Sequence, residues 1–112
     1  MDTLLSVSTH GEFKVVTLQT PALMNSADLD RLGEELDRIA AGQANGRVLL
    51  DFTRVETLAS RAIGMIVTLH KKLSAVSGGQ LVLCGVSPQL TQLLKITRLD
   101  RLLKVVKTPN DV

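Results

Sequence analysis

The sequence predicts an α/β fold with a mixed β-sheet, the element order β-β-α-β-α-β-α-β, and helices packed against the sheet. Short apolar runs alternate with longer segments in which apolar residues recur at helical spacing, which is typical of strand–helix–strand units. Two strand patterns separated by a turn precede the first of these units, which indicates a hairpin at the start of the sheet.

The predicted hairpin has strands at residues 3–8 and 12–20, joined by a turn at His10-Gly11. Pro21 ends the second strand, because proline has no N–H group for the ladder of a sheet. The hairpin therefore supplies the two strands that come before the first helix.

Three further strands are predicted downstream, at 47–52 (RVLLDF), 80–85 (QLVLCG) and 104–107 (KVVK, an edge strand). Three consecutive apolar residues in the first of them indicate a strand buried on both faces, as central parallel strands are. The unit between the first two should be a right-handed parallel crossover.

The first and third helices have clear start and stop signals. Asn25 or Ser26 caps the first helix, Gly42 stops it, and its apolar face comprises Leu29, Leu32, Leu36 and Ile39. Ser87 followed by Pro88 starts the third helix. That helix has its apolar positions at Leu90, Leu93, Leu94 and Ile96.

The second helix is predicted over residues 60–77 and closed by Gly78-Gly79. Its inward positions are Ile63, Ile66, Val67, Leu73 and Val76. Loops past the carboxyl ends of parallel strands are the working loops of such sheets. Two of them, 52–60 and 85–88, lead into helices headed by Ser60 and Ser87, so the two serines should lie at the same edge.

Composition restricts the class of function. The 112 residues suffice for one domain, 45% are hydrophobic, and Phe13 and Phe52 are the only aromatic side chains, so the core should be aliphatic. Few aromatic side chains argue against stacking on single-stranded nucleic acid. The net charge is +2 and the basic residues are spread along the chain, so the sequence predicts no nucleic-acid partner.

The compartment and redox state follow from what the sequence lacks. Cys84 has no cysteine partner and lies in an apolar run, which predicts a buried reduced thiol. The N-terminus has no basic-then-apolar signal pattern, and no apolar run approaches the roughly 20 residues of a membrane helix. We expect a cytoplasmic protein without membrane insertion.

Catalytic and metal-binding signatures are also missing. There is no Walker-type loop and no GxGxxG motif. His10 and His70 are isolated; His10 suits a turn and His70 a hydrogen-bonded position at the edge of the core. Asp51 is interpreted as a residue that stabilises a turn. We therefore expect no enzyme activity, no catalytic residue, no metal, no cofactor and no small-molecule substrate.

Two interpretations of Ser60 and two of Gly64 stay open. Ser60 is either a helix cap or a hydroxyl used in regulation. Gly64 lies in a stripe of short residues, with Arg61, Thr68 and Ala75, on the outer face of the helix. It makes room either for another protein or for a neighbouring helix of the same domain.

A phosphate on Ser60 could act as a switch. It would lie at the positive end of a helix, where negative charge is stabilising by about 0.3–1 kcal/mol. A partner packed over it would have to desolvate that charge at a cost of several kcal/mol. Inverting a binding equilibrium of about 99:1 takes about 5.5 kcal/mol. One phosphoserine inside the interface could therefore act as a switch.

An ordered set of motifs over residues 48–103 resembles the STAS family (sulfate transporter and anti-sigma factor antagonist domains). The family pattern is an apolar strand ending in Asp, then Asp-Ser-x-Gly-apolar-Gly at a helix start, a second apolar strand, Gly-Val-Ser-Pro, and a Leu-Asp-x-Leu turn. The matching residues here are Asp51, Ser60, Gly64, Gly85-Val86-Ser87-Pro88 and Leu99-Asp100-Arg101-Leu102. The resemblance implies a single STAS-like domain over residues 1–112.

Stand-alone domains of this kind are similar to bacterial anti-sigma factor antagonists. The resemblance implies binding to an anti-sigma factor, often a serine kinase, which phosphorylates the serine matching Ser60 while a phosphatase restores it. Three positions depart from the pattern: Ala59 replaces the usual Asp, Ala62 the usual Gly, and Asn25 the acidic residue of the preceding loop.

These observations lead to one leading hypothesis and two alternatives. The leading one is a regulatory module that binds its partner through one edge, with Ser60 as phosphoacceptor and contacts from Met24, Asn25, Ser26, Thr57, Leu58, Ala59, Arg61, Gly64, Met65 and Thr68. The first alternative is a subunit that docks on a transporter ATPase or a signalling scaffold and is never phosphorylated. A small-molecule binder or enzyme would instead need a closed, polar-lined pocket at the 52–60 edge, where we expect a shallow surface.

Overall fold

The computed structural model describes residues 5–42, 46–76 and 78–108. Its main sheet has five strands in the order β1-β2-β4-β6-β7. They are β1 Leu5–His10, β2 Phe13–Leu18, β4 Arg47–Asp51, β6 Gln80–Cys84 and β7 Lys104–Val106. β1 pairs antiparallel with β2, and the remaining pairs are parallel, so the sheet is mixed as predicted.

Three helices and a short 3-10 turn connect the strands. They are α1 Ser26–Gly42, α2 Ser60–Ser74, α3 Pro88–Ile96 and the 3-10 turn Leu99–Arg101. The predicted α/β class and order of main elements are confirmed. Two strands of two residues each, β3 Ala22–Leu23 and β5 Thr57–Leu58, were not predicted from the sequence; they pair with each other in a separate parallel sheet.

The helices lie on one face of the main sheet. Successive parallel strands are neighbours in the sheet, and right-handed crossovers that always step the same way place every connecting helix on the same side. The main core accordingly joins α1, α2 and α3 to alternate strand residues such as Val48, Leu50 and Leu83. A second buried cluster, on the opposite face, consists among the described residues of strand residues alone: Val15, Leu49, Val82 and Cys84.

The central strand is buried on both faces, as its three consecutive apolar residues predicted. Val48 and Leu49 are 0% exposed and Leu50 is 1% exposed. The apolar face of α1 is also as predicted, with Leu29, Leu32, Leu36 and Ile39 buried. Both patterns depend on periodicity within one element, which the sequence shows directly.

The predicted hairpin turn was one residue out of place. His10 pairs with Phe13 at the end of β1, so the turn residues are Gly11 and Glu12 rather than His10 and Gly11. Gly11 has a φ of 60°. A two-residue hairpin loop of the II′ type needs glycine at its first central position, which places Gly11 there.

The predicted inward face of α2 needs two corrections. The helix ends at Ser74, so Val76 lies beyond it, no longer follows the helical periodicity, and is 36% exposed. The buried residues of α2 are Ala62, Ile66, Leu69 and Leu73, while Ile63 and Val67 are half-buried. In α3, Ile96 is 76% exposed, because the helix ends there and Leu90 and Leu94 are the residues facing the core.

Cys84 is a buried free thiol, as predicted. Burial, and after it the charge of Asp51 and a hydrogen bond to that carboxylate, raise the pKa of Cys84 to about 11. The prediction of a hydrogen-bonded His70 was wrong at one ring nitrogen, since the buried Nδ1 has no hydrogen-bond partner in the described part of the chain. Within the described residues, no helix is both long and apolar enough to cross a membrane.

Candidate functional site

The candidate site lies at the carboxyl ends of the parallel strands β4 and β6. These strands are neighbours in the sheet, so the loops that follow them lie at the same edge. The loop after β4 leads to Ser60 at the start of α2, and the loop after β6 leads to Ser87 at the start of α3. The expectation that both serines lie at this edge therefore agrees with the topology.

The small β3–β5 sheet joins two loops that are far apart in sequence. Ala22 pairs with Thr57. The carbonyl oxygen of Pro21 accepts the N–H groups of Glu56 and Thr57 at 2.7 and 3.2 Å. This pairing holds residues 21–25 beside residues 56–59, so two segments of the predicted partner-binding set are adjacent.

Ser60 is not the cap of α2. The N-cap residue is Ala59, in extended conformation and without a side-chain hydrogen bond, and Ser60 is the first residue of the helix. Ser60 is exposed, and among the described residues no hydrogen bond involves its hydroxyl group. The interpretation of Ser60 as a helix cap is therefore wrong.

The electrostatic environment of Ser60 is that of an uncompensated helix N-terminus. The first turn of α2 contains no acidic residue. Helix N-termini carry unpaired N–H groups and about half a positive charge. An anionic group at Ser60 would therefore meet favourable dipoles without a neighbouring carboxylate in that turn.

The start of α1 borders this surface. The Oδ1 atom of Asn25 accepts the N–H groups of Ala27 and Asp28 at 2.7 and 3.4 Å, which makes Asn25, rather than Ser26, the side-chain cap of α1. Beside it, Met24 is 55% exposed, and the Thr57 hydroxyl group lies 3.9 Å from its sulfur atom. Met24 thus presents a flexible apolar side chain at the edge that carries Ser60.

Arg61 forms an ion pair with Asp30 of α1. Both side chains are more than half exposed, so solvent screens the pair and its contribution to stability is small. A second exposed pair, Lys72 with Asp37, also bridges α1 and α2. Asp30 was not predicted as a partner of Arg61, because no local signal in the sequence links residues so distant in the chain.

Gly64 faces open space. Among the described residues, apart from its two chain neighbours and the backbone of its own helix, no atom lies within 4 Å of the point where a Cβ atom would be. The alternative that Gly64 accommodates a neighbouring helix of the domain is therefore wrong. The helix contact is made at Gly33 of α1, where the Met65 side chain lies 3.7 Å from the corresponding point.

The predicted partner-binding residues divide into two groups. Leu58, Ala59 and Met65 are half-buried and pack against the main core, so they support the surface from below. The remaining seven are exposed: Met24, Asn25, Ser26, Thr57, Arg61, Gly64 and Thr68. We call these seven residues together with Ser60 the Ser60 surface.

The cavity beneath this edge is apolar. It is lined by Phe52, Leu58, Ile63 and eight further apolar residues, and its volume of about 10 Å³ is close to the space of one water molecule. A small-molecule binder would need a closed pocket with a polar lining at this edge. The residues that line this cavity are apolar.

The loop before Ser87 is tightly packed. Asp51 Oδ1 accepts the N–H group of Thr53 at 2.9 Å and also the Thr53 hydroxyl group, so Asp51 stabilises a turn, as its position suggested. Gly85 has a φ of 66°, and a Cβ atom there would lie 2.3 Å from Thr53 Oγ1. This contact gives a physical reason for the glycine that precedes Val86-Ser87-Pro88.

Comparisons with known proteins agree with this architecture. A family model for the STAS domain matches residues 5–112. A curated protein of Thermotoga neapolitana, named as an anti-sigma factor antagonist and TM1081 homolog, is 36% identical over 62 residues, which are 55% of this chain and 54% of that protein. The chain thus matches about half the length of this curated relative.

Two solved structures share the fold. A STAS domain protein from Planctomyces limnophilus superposes with a TM-score of 0.84 at 22% identity, covering 96% of this chain and 92% of that chain. The Bacillus cell fate determinant SpoIIAA in its phosphorylated form superposes with a TM-score of 0.71 at 15% identity, covering 96% and 95%. At these identities the likeness concerns the fold.

Proposed function

Because the chain belongs to the STAS domain family, we propose that it is a cytoplasmic regulatory module of the anti-sigma factor antagonist type rather than an enzyme. Its partner is an anti-sigma factor or serine kinase, bound through the Ser60 surface. The curated relative, which carries the name of such an antagonist, supports this class of partner.

The observation that carries the proposal is the exposed, unpaired hydroxyl group of Ser60. It lies at the same edge as the exposed Met24 side chain, which is near Thr57, and on the same helix as the open position at Gly64. Short side chains let a partner approach the helix closely, and Met24 adapts its shape to an apolar partner group. Such a surface suits a protein partner better than a small molecule.

Phosphorylation of Ser60 is the proposed switch. In the free protein the phosphate is stabilised by the dipoles at the N-terminus of α2, and the first turn of this helix contains no acidic residue that would repel it. In the complex the phosphate would lose its hydration because the partner covers it. This desolvation costs free energy, so phosphorylation favours the free protein. The likeness in fold to SpoIIAA, a protein solved in a phosphorylated form, supports a regulated serine, and a phosphatase would make the switch reversible.

The test is binding of the purified protein to the anti-sigma factors encoded in the same genome, measured by calorimetry. Ser60→Asp should weaken the complex about tenfold or more, because the new charge must be desolvated. Ser8→Asp, at an exposed position on β1, is the matched control and should leave binding unchanged. No complex at micromolar concentration with any candidate would refute the proposed function.

A second candidate function is a subunit that docks on a transporter ATPase or signalling scaffold without phosphorylation. Its support is the pair Ala59 and Asn25, neither of them acidic, with the Asn25 side chain engaged in capping α1. Intact mass of the protein from its native cells separates the two candidates. A phosphate-shifted fraction that disappears in Ser60→Ala favours the switch; full activity of Ser60→Ala without any such fraction favours the docking subunit.

A further inference from the structure

Basic residues recur at every third position near the end of the chain. Residues 95–107 include the C-terminal turn of α3, the 3-10 turn and β7, and we call this segment the basic end. Its five cationic side chains are all exposed: Lys95, Arg98, Arg101, Lys104 and Lys107. Asp100 is its single acidic residue.

The basic end accounts for the positive charge of the whole chain. It holds five of the 13 basic residues and one of the 11 acidic residues, which leaves eight basic and ten acidic residues elsewhere. Basic residues occur along the chain, as stated above, but they are most concentrated in the basic end. Within the described part of the chain, none of these five cations forms an ion pair, whereas Arg61 and Lys72 of α2 are paired with α1.

Exposed apolar side chains lie among these cations. Ile96, Leu102 and Val105 are 76%, 45% and 41% exposed, which makes them three of the six large apolar residues exposed in the described chain. Ile96 and Leu102 directly follow the cations Lys95 and Arg101, whereas Val105 follows Lys104 within β7 and its side chain lies on the opposite face of that strand. The combination of charge and apolar surface distinguishes this segment from an ordinary solvated face.

The elements that carry these residues form one end of the molecule. β7 is the last strand of the main sheet, and the 3-10 turn contacts both α3 and β7. The acidic helix α1 lies between β2 and β4 in the chain and packs against α2. The basic end thus lies on other elements than the Ser60 surface, whose residues belong to α1, β5, α2 and the residues just before α1, although α3 contacts β5.

We propose that the basic end binds the surface of a lipid bilayer that contains anionic lipid. Clustered Lys and Arg side chains are attracted to anionic headgroups, and neighbouring apolar side chains enter the boundary between headgroups and acyl chains. The protein attaches to the membrane surface peripherally through this end. The inference does not depend on the proposed partner of the Ser60 surface.

Two other anionic occupants fit the structure less well. A second copy could offer the acidic helix α1, but three of its five acidic residues, Asp30, Glu35 and Asp37, are already in ion pairs. A nucleic acid would gain nothing from Ile96 and Leu102, and the basic end has no aromatic side chain for base stacking. A lipid surface uses both the cations and the apolar side chains.

The test is co-sedimentation of the full chain with phosphatidylcholine vesicles that contain or lack phosphatidylglycerol. We expect binding to the anionic vesicles alone, with affinity falling as salt is added. Lys95→Glu with Arg101→Glu should reduce the affinity about tenfold or more. The control pair is Lys71→Glu with Arg54→Glu. It makes the same change in charge at a lysine in the last turn of α2 and at another exposed arginine, and it should change the affinity for vesicles little.

The apolar component is tested with Ile96→Ser, which should weaken vesicle binding several-fold, against Val7→Ser at an exposed position of β1. Circular dichroism and thermal unfolding establish that each variant is folded. Absence of binding to anionic vesicles, or equal losses in the test and control pairs, would overturn the proposal. Equally tight binding to heparin, with no effect of Ile96→Ser on vesicle binding, would overturn it in favour of a soluble polyanion.

Discussion

Ser60 and Ser87 both stand where the chain passes from a parallel strand into a helix, at the same edge of the sheet. The Ser87 side chain is the N-cap of α3 and accepts the N–H group of Leu90 at 3.2 Å, with Pro88 as the first helical residue. Ser60 is one position further into its helix, after Ala59, and its hydroxyl group is exposed. A shift of one residue relative to the cap thus separates a structural serine from an available one.

The loops before the two serines differ in the same way. The loop after β6 packs Gly85 against Asp51 and Thr53, and it is further constrained because the Gly85 N–H group donates to the carbonyl oxygen of Lys107. The loop after β4 is tied to residues 21–23 by the small β3–β5 sheet, which leaves Thr57 and Ser60 exposed. The loop after β6 is thus packed against neighbouring residues, whereas the loop after β4 leaves side chains exposed.

The largest effect is expected for Gly85→Ala. The substitution places a Cβ atom at a φ of 66° and 2.9 Å from the backbone nitrogen of Thr53, so backbone strain and a clash act together. We expect a loss of about 2–4 kcal/mol in the free energy of unfolding. Urea denaturation measures it, and a loss under about 0.5 kcal/mol would show that the loop is more adaptable than its packing indicates.

The next effect is a pH dependence that comes from Cys84. Its pKa is raised from 9.0 to about 11 in the folded protein, so the unfolded chain loses the thiol proton first as the pH rises. The stabilisation is complete below pH 9.0 and is lost as the pH rises towards about 11. The expected loss is on the order of 2 kcal/mol.

Comparison with Cys84→Ala isolates this contribution from the titration of lysines. The free energy of unfolding of the variant should fall less between these pH values than that of the parent protein. Parallel falls in both proteins would show that the thiol does not titrate differently in the folded and unfolded states.

A smaller effect compares the two serines directly. Ser87→Ala removes a cap and should cost about 1 kcal/mol, whereas Ser60→Ala removes no hydrogen bond and should stay within about 0.5 kcal/mol of the parent. Thermal and urea unfolding of the two variants give the difference. Equal losses would mean that Ser60 also acts as a cap in solution.

The smallest effect concerns Gly64. Gly64→Ala adds a methyl group in open space and improves helix propensity, so it should stabilise the protein by about 0.5–1 kcal/mol. If the Ser60 surface binds a partner closely, the same variant should bind that partner more weakly. Unchanged affinity in calorimetry would remove Gly64 from the proposed interface.

Several features of the site could be predicted because they depend on neighbours in sequence. The cap at Ser87 follows from the next residue, Pro88, and the cap of α1 was restricted to Asn25 or Ser26. The burial of β4 on both faces follows from its three consecutive apolar residues. The ends of the helices were predicted less accurately. Val76 follows the last residue of α2 and Ile96 is the last residue of α3, although both side chains are apolar.

By itself the sequence determined the order of the main elements, the aliphatic core and the two loops that lead to Ser60 and Ser87. Turns, caps and apolar periodicity determine these features because they act within a few residues. Only the tertiary structure decided which serine is free, that Gly33 rather than Gly64 accommodates Met65, and that Pro21 holds the loop at Thr57. The last two outcomes depend on contacts between residues about 30 positions apart, which no local pattern encodes, and the first depends on where α2 begins relative to Ala59. The sequence also shows the accumulation of cations in the basic end, but only the tertiary structure shows that, among the described residues, none of them is in an ion pair.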